Sequence, residues 1–574
     1  MKNTIIIKSL AIILALSMSS GCIKETFPQG GGQTAEQIMG TEGSLHSLLK
    51  AIPVQMTASG ALGYAGRYQV HFDFGISAMH LMTESMLEDL ATPSNPGYNW
   101  FNGFASNINM GSDYILCAYF WEGYYKWIKG ANDVIGLIDE DSANEDNIKI
   151  LGQALTYRAM FYLDLARMYI PLDNSVVPVP ENIHGLTVPI VTNLTTEADS
   201  KFNPRVTYQD LYKFIMNDLD KAEKFLAGKA QSRFEPGIDA VHVLKARAFI
   251  ELGMLYRDYP VKENLENYPC NGDSKLAYAE AAKWSRKVID EGGYVVLNQQ
   301  QWEDPKTGFN SALSNRSWIW GIPLSSENTG NLLSFTAHAS TEATWGYAPL
   351  THMSISKKLY YSISDSDFRK HSWLDPEFDK YYDYQYSGDL NDKANFLNGN
   401  PNYGIPAALP FQSIKFRPAQ GEVTDHTKGG LADVLLMRVE EMYFIEMEAA
   451  LYSGDLPKAQ RLLNEFMATR YVGDEQYDCV AKTDSPESFI REMMLQKRIE
   501  FWGEGILFYD YKRLNQGITR SYPGTNHVAD VRINCKGRSP QWNVVITRGE
   551  FQSNTAINDK NNNPDPSALQ PVRN

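Results

Sequence analysis

Residues 438–470, RVEEMYFIEMEAALYSGDLPKAQRLLNEFMATR, hold two helical patterns joined at a glycine. In the first, apolar residues recur three and four apart, the period of an amphipathic helix. The pattern stops near Gly454, and DLPKAQRLLNEFMATR starts another. Four glutamates crowd the first pattern, at 440, 441, 446 and 448. Glu441 and Glu448 are seven apart, which returns them to one face with a rise of about 10.5 Å between their backbones. A retaining glycosidase wants its two carboxyl groups about 5 to 5.5 Å apart and an inverting one roughly 6.5 to 9.5 Å. Bent side chains could reach the second distance, so spacing alone leaves both an acid/base pair and a scaffold role open.

Other stretches repeat the paired pattern. RVTYQDLYKFIMNDLDKAEKFL opens with Thr207 and Asp210 as a capping-box-like start and places Leu211, Phe214, Ile215, Leu219, Ala222 and Phe225 on one stripe. DAVHVLKARAFIELG and KLAYAEAAKWSRKVIDEGGY read as a helix, a break at Gly253, an insertion, and a second helix ended by Gly292 and Gly293. Such helix–turn–helix units resemble tetratricopeptide hairpins, although they do not recur at a clean 34 residues. From about Val295 to Leu431 the texture changes to Gly, Pro, Asn, Ser and aromatics, and the tail after Tyr522 is similar. So dense a set of aromatic residues argues against disorder. The expected fold is mainly α: tetratricopeptide-like hairpins form a right-handed superhelical scaffold over roughly 112–294 and 432–520. A large irregular, loop-rich subdomain at roughly 295–431 packs on it, and an irregular tail follows at 521–574.

With 574 residues, 43% of them hydrophobic, the chain can bury a sizeable core. Lys+Arg 53 against Asp+Glu 68 gives a net charge of −15 without basic tracts, which argues against nucleic acid as a partner. The first residues, MKNTIIIKSLAIILALSMSSGC, place Lys2 and Lys8 before a short apolar run and small residues before Cys22. This reads as a secretory signal over 1–21. Gly21–Cys22 resembles a lipobox, with Ser19 standing where leucine is usual. Cys22 is then the acylated N-terminus, residues 22–34 with Gly30, Gly31 and Gly32 a flexible tether, and residues 35–574 a single domain. Cys117, Cys270, Cys479 and Cys535 include no C-x-x-C; Cys117 lies in an apolar helical run and reads as a buried free thiol.

H-E-x-x-H, G-x-S-x-G, G-x-G-x-x-G and G-x-x-x-x-G-K-[ST] are absent, and the ten histidines are dispersed. The reading therefore contains no cofactor, no metal and no enzyme motif. The Asp-rich SDSDF lacks the glycine and distal glutamate of an EF-hand loop and reads as solvated. Cys117, Phe120, Trp121, Tyr124, Tyr125, Trp127 and Ile128 sit at helical spacing and read as core. Aromatics on loops are different: NPGYNWFNGF carries Tyr98, Trp100 and Asn102, and TEATWGYAPL carries Trp345 and Tyr347. A flat ring flanked by amides and hydroxyls suits a sugar, whose C–H face stacks while its hydroxyls hydrogen-bond. Those five residues are the candidate ligand site, with Trp302 and Trp373 as weaker candidates.

Taken in order, several segments resemble the SusD/RagB family. FWEGYYKWIKGANDVI with Asn132, ALTYRAMFYLDLARMYIPL followed by VVPVP, NPRVTYQDLYKFIMNDLDKAEKFL and PGIDAVHVLKARAFIELG resemble its successive helices. The 438–455 stretch resembles its glutamate-bearing helix, and KRIEFWGEGILFYDYKRL its C-terminal signature at Arg498, Glu500, Glu504, Gly505, Asp510, Lys512 and Arg513. Leu507 and Leu514 depart from the arginine and tryptophan common there. The resemblance implies a non-catalytic surface lipoprotein, lipid-anchored in the outer membrane. It would capture oligosaccharides for a SusC-like TonB-dependent transporter and act as its lid. It also implies that Arg438, Glu441, Glu448 and Arg498 form a structural ion network, with Arg498 or Arg491 as partners of the two glutamates. A peptide-binding member of the family and a surface glycosidase are the alternatives.

Overall fold

A computed structural model describes residues 41, 43–60, 71–91, 101–106, 108–260, 265–304, 306, 309, 311, 315–325, 333–343, 345–347, 353–377 and 408–567. The chain divides into two units, Met1–Leu48 and Leu49–Asn574, the second of which holds the principal elements. Its described residues are mainly helical. The principal helices are α1 (Ile76–Ser85), α2 (Ile115–Ile135), α3 (Glu145–Tyr169), α4 (Tyr208–Leu226), α5 (Ile238–Asp258), α6 (Ser274–Glu291), α7 (Glu440–Tyr452), α8 (Leu456–Met467), α9 (Pro486–Glu500) and α10 (Leu507–Arg513). From α2 to α8 each helix packs on the next, a stack of antiparallel neighbours.

Local chemistry explains where these helices start and stop. The Thr207 hydroxyl accepts the Asp210 N–H at the head of α4, as the sequence predicts. Between α7 and α8 the chain turns at Gly454, whose φ of 91° suits a residue without Cβ. Asp455 then caps α8 by accepting the Lys458 N–H, with Pro457 in the first turn. Gly253 corrects the expected break, because α5 runs through it to Asp258. The glycine is there for proximity: a Cβ would lie 2.7 Å from the Tyr278 ring of α6.

The described residues form three two-stranded antiparallel sheets: β1 (Leu90–Ala91) with β3 (Ser354–Ile355), β2 (Trp318–Ile322) with β4 (Val434–Arg438), and β5 (Ile518–Thr519) with β6 (Asn534–Cys535). The second of these matters for the architecture. The chain leaves the stack after α6 and returns at α7, yet these two helices pack together. β4 leads directly into α7, so its ladder with β2 holds the ends of the excursion side by side.

The aromatic stripe of α2 is core, with Phe120, Trp121, Tyr124, Trp127 and Ile128 buried and Tyr125 half-buried, its hydroxyl donating to the Pro189 carbonyl at 2.7 Å. Each such apolar side chain contributes ~1.5–3 kcal/mol when fully buried. Cys117 is a buried free thiol whose pKa burial pushes up to about 12. Trp302 and Trp373 are buried too, which corrects their standing as ligand candidates. The tail beyond Tyr522 is irregular but not loose: Trp542, Val544 and Ile546 are buried, and the Asn563 side-chain amide donates to the Tyr169 carbonyl at the end of α3.

Candidate functional site

Glu441 and Glu448 of α7 are each held by an arginine from another helix. Glu441 accepts two bonds from Arg247 of α5, at 2.8 and 2.6 Å. Glu448 accepts two from Arg513 of α10, one of them at 2.9 Å. These partners correct the expected ones. Arg498 faces α1's end of the chain, where Asp89 accepts at 2.6 Å and Glu88 lies at 2.9 Å, and Arg491 is exposed. Arg438 donates to Glu500 at 2.7 Å and Glu504 at 2.8 Å. Glu500 also accepts from Arg369 and Arg470, and those three guanidiniums hold its carboxyl well below the usual range despite burial. Both α7 glutamates are therefore engaged in buried ion pairs, an arrangement that positions helices. Sequence reasoning missed Glu84, Glu88 and Asp89; three acids inside the apolar run 76–91 were the available signal. Burial pushes Glu84 up to about 8.

The loop-aromatic candidates lead to another part of the molecule. A short helix, Phe335–Ala339, precedes the loop that carries Trp345 and Tyr347. Its His338 is fully buried, which lowers its pKa to about 4, and hydrogen-bonds the Ser334 carbonyl through Nδ1 at 2.9 Å. The Tyr347 ring lies 4.8 Å from this imidazole and the Phe101 ring 5.5 Å from it, edge-on. Segment 101–106 and loop 345–347 thus meet on one buried side chain, although 244 positions separate Phe101 from Trp345 in the sequence.

Tyr347 is only 6% exposed and its hydroxyl is hydrogen-bonded to His71, so it pins the loop, which corrects the expectation that it lines the ligand face. Trp345 is half-buried, and its ring is so close to Gly429 that a Cβ there would stand 3.0 Å from it. Glu342, three residues before Trp345, is buried and its pKa raised by that burial, with Arg417 at 3.6 Å as counter-charge. Beyond Arg417 and Pro418 opens a cleft of ≈ 180 Å³ that presents Asp304, Lys306, Gln420 and Asp433 above the buried rings of Trp302 and Phe309. The arrangement offers a held aromatic edge beside a polar cleft, which suits recognition of a hydroxyl-rich ligand. Tyr98 and Trp100 lie outside the described residues; Asn102 begins the short helix Asn102–Ala105, and its side chain lies outside them as well. Among the described residues no group of three or more His, Cys, Asp or Glu is arranged to hold a metal ion.

A family model described as "Starch-binding associating with outer membrane" matches residues 70–249, and the SusD family model matches residues 333–571. No curated protein matches. Among solved structures, a SusD-like carbohydrate binding protein from Bacteroides vulgatus has a TM-score of 0.64 at 20% identity, covering 90% of this chain and 97% of its own. A SusD superfamily protein from Bacteroides thetaiotaomicron has a TM-score of 0.63 at 17% identity, with 91% and 99% covered. The surface glycan-binding protein A of Bacteroides thetaiotaomicron, solved in complex with laminarihexaose, has a TM-score of 0.60 at 14% identity, with 91% and 99% covered.

The stacked helical hairpins, the long excursion clasped at their side and the loop cluster on His338 define a class, helical scaffolds that carry a loop-rich subdomain. Within it, the chain belongs to the SusD/RagB family, as the order of its sequence segments implies.

Proposed function

We propose that this protein is a non-catalytic binding lipoprotein of the outer membrane. It captures an oligosaccharide at loop 345–347, with Tyr98, Trp100 and Asn102 as its further candidate ligand residues, and delivers it to a SusC-like TonB-dependent transporter over whose barrel it acts as a lid. The supporting observation is the packing of Phe101 and Tyr347 on His338, which fixes segment 101–106 and loop 345–347 relative to each other. A preformed platform loses little entropy on binding a flexible sugar. The family description and the laminarihexaose complex of a relative with this fold support a glycan as the ligand class.

A glycan array names the ligand, and isothermal titration with it tests the site. Stacking of one ring on one sugar is worth about 0.5–1.5 kcal/mol beyond area burial. Trp345→Ala and Trp100→Ala should therefore each weaken binding roughly tenfold, ~1.4 kcal/mol, with the melting temperature nearly unchanged. Parental affinity in both variants would place the site elsewhere. Release of reducing ends by the purified protein would mark a glycosidase instead.

The same reading assigns residues 1–21 to a cleaved leader, 22–34 to a tether and 35–574 to the binding domain, with the membrane reached through lipid on Cys22. Among the described residues no helix is long and apolar enough to cross a membrane. Cys22→Ala should move the protein from the membrane to the soluble fraction. A variant that still sediments with membranes as the parent does would refute the lipid anchor.

A further inference from the structure

A second aromatic groove lies on the helical scaffold, lined by none of the loop-aromatic candidates. Two adjoining clefts of ≈ 480 and ≈ 460 Å³ run beside α4, one along α5 and α6 and the other past the N-cap of α4. Both volumes fall in the range of small-molecule sites, roughly 300–1,000 Å³. Tyr268 lines both clefts, so its ring stands where the two adjoin. The α4 residues that line them extend from Thr207 to Asp220, which at ~1.5 Å per residue makes a groove about 20 Å long.

Tyr268 is held with some strain. Cys270 and Asn271 take φ values of 53° and 51°, followed by Gly272 at 72°. Successive left-handed conformations at residues with a Cβ are unfavourable and persist only where surrounding contacts over-determine them. Here the Tyr256 hydroxyl donates to the Pro269 carbonyl at 2.9 Å, and the Tyr268 hydroxyl donates to Asp210 of α4 at 2.9 Å. The loop is thereby fixed with a half-buried aromatic ring between the two clefts.

We propose that this groove is a second carbohydrate-binding site, taking a neutral oligosaccharide laid across Tyr268. The inference rests on the glycan-binding reading above. Its walls favour a sugar over an extended peptide: they are mostly helices, whose backbone N–H and C=O groups are used internally and leave nothing for strand pairing. Side chains remain, and the exposed Asn217 and Asp220 of α4 stand where they can meet hydroxyls. Charge argues against an acidic sugar: of the two lysines in the lining, Lys245 is paired with Asp220 and Glu223 at 2.6 Å and Lys213 stands over the Tyr268 ring, 5.0 Å from its centroid, while Glu266 and Glu280 add negative charge.

The test uses the intact protein and an array of neutral glucans, xylans, mannans and galactans, followed by titration with the hexaose the parent binds. Asn217→Trp fills the groove from an exposed position; Tyr268→Ala removes the platform, with melting recorded for each. In a Trp345→Ala background, residual binding should remain and fall at least tenfold on adding Asn217→Trp or Tyr268→Ala. If Trp345→Ala alone abolishes binding and both groove variants bind as the parent does, the groove proposal is overturned while the principal site stands. If the parent binds no glycan, both readings fall. If Asn217→Trp spares glycan titration but ends co-purification with an outer-membrane protein, the groove is a protein interface and the proposal is overturned.

Discussion

Replacing Glu500 by alanine should lower the stability of the fold by about 5 kcal/mol, the upper end of the ~3–5 kcal/mol expected when one partner of a buried ion cluster is removed. The carboxylate is fully buried and accepts from Arg369, Arg438 and Arg470, of which Arg369 and Arg470 are also fully buried. Alanine would leave three guanidiniums around a cavity, with Asp367 for Arg369, Glu504 for Arg438, and Glu440, 3.6 Å from Arg470 and 3.1 Å from Arg438, as the remaining counter-charges. Denaturant unfolding at neutral pH measures the loss, and a difference below ~1 kcal/mol would remove this cluster from the fold's foundations. The pH dependence carries a definite sign. The Glu500 carboxyl is held well below its ordinary value, so its contribution is complete above the unfolded-state pKa and disappears as pH falls through the folded one. The gap between parent and variant should therefore narrow in acid.

Glu448→Ala should cost about 3 kcal/mol, at the lower end of the ~3–5 kcal/mol range for a broken buried pair. Glu448 is fully buried and bonded twice to Arg513, but Arg513 keeps Asp510 at 2.7 Å and Glu251 at 3.5 Å when it is gone. Thermal melting reads the effect. The outcome decides the question raised by two glutamates seven apart on one face. A lowered melting temperature with glycan affinity intact marks scaffold, whereas unchanged melting with a lost activity would mark chemistry.

Local features of the sequence announced most of the helical stack. Thr207 and Asp210 predict the start of α4, and Gly454 with Asp455 predicts the turn between α7 and α8, because caps and turns are decided by residues within four positions of each other. The same locality misled at Gly253. A glycine in a helical pattern reads as a break, and only Tyr278 of the neighbouring helix reveals it as the room needed for a close crossing. Tyr347 misled in a similar way, since loop composition suggests exposure and His71 with His338 turns its ring inward.

The sequence by itself determined the helical periods, their caps and the family, each carried by short patterns that survive without knowledge of the fold. Only the tertiary structure decided which charges pair and which loops meet. Arg498 and Asp89 are 409 residues apart, and Arg247 and Glu441 are 194 apart. A glutamate on a helix face carries no mark of its partner, because a buried ion pair depends on distances of a few ångströms that packing alone sets. The meeting of Phe101 and Tyr347 on His338 has the same origin: their neighbours in sequence fix each loop's composition, and the core beneath fixes where the loop stands.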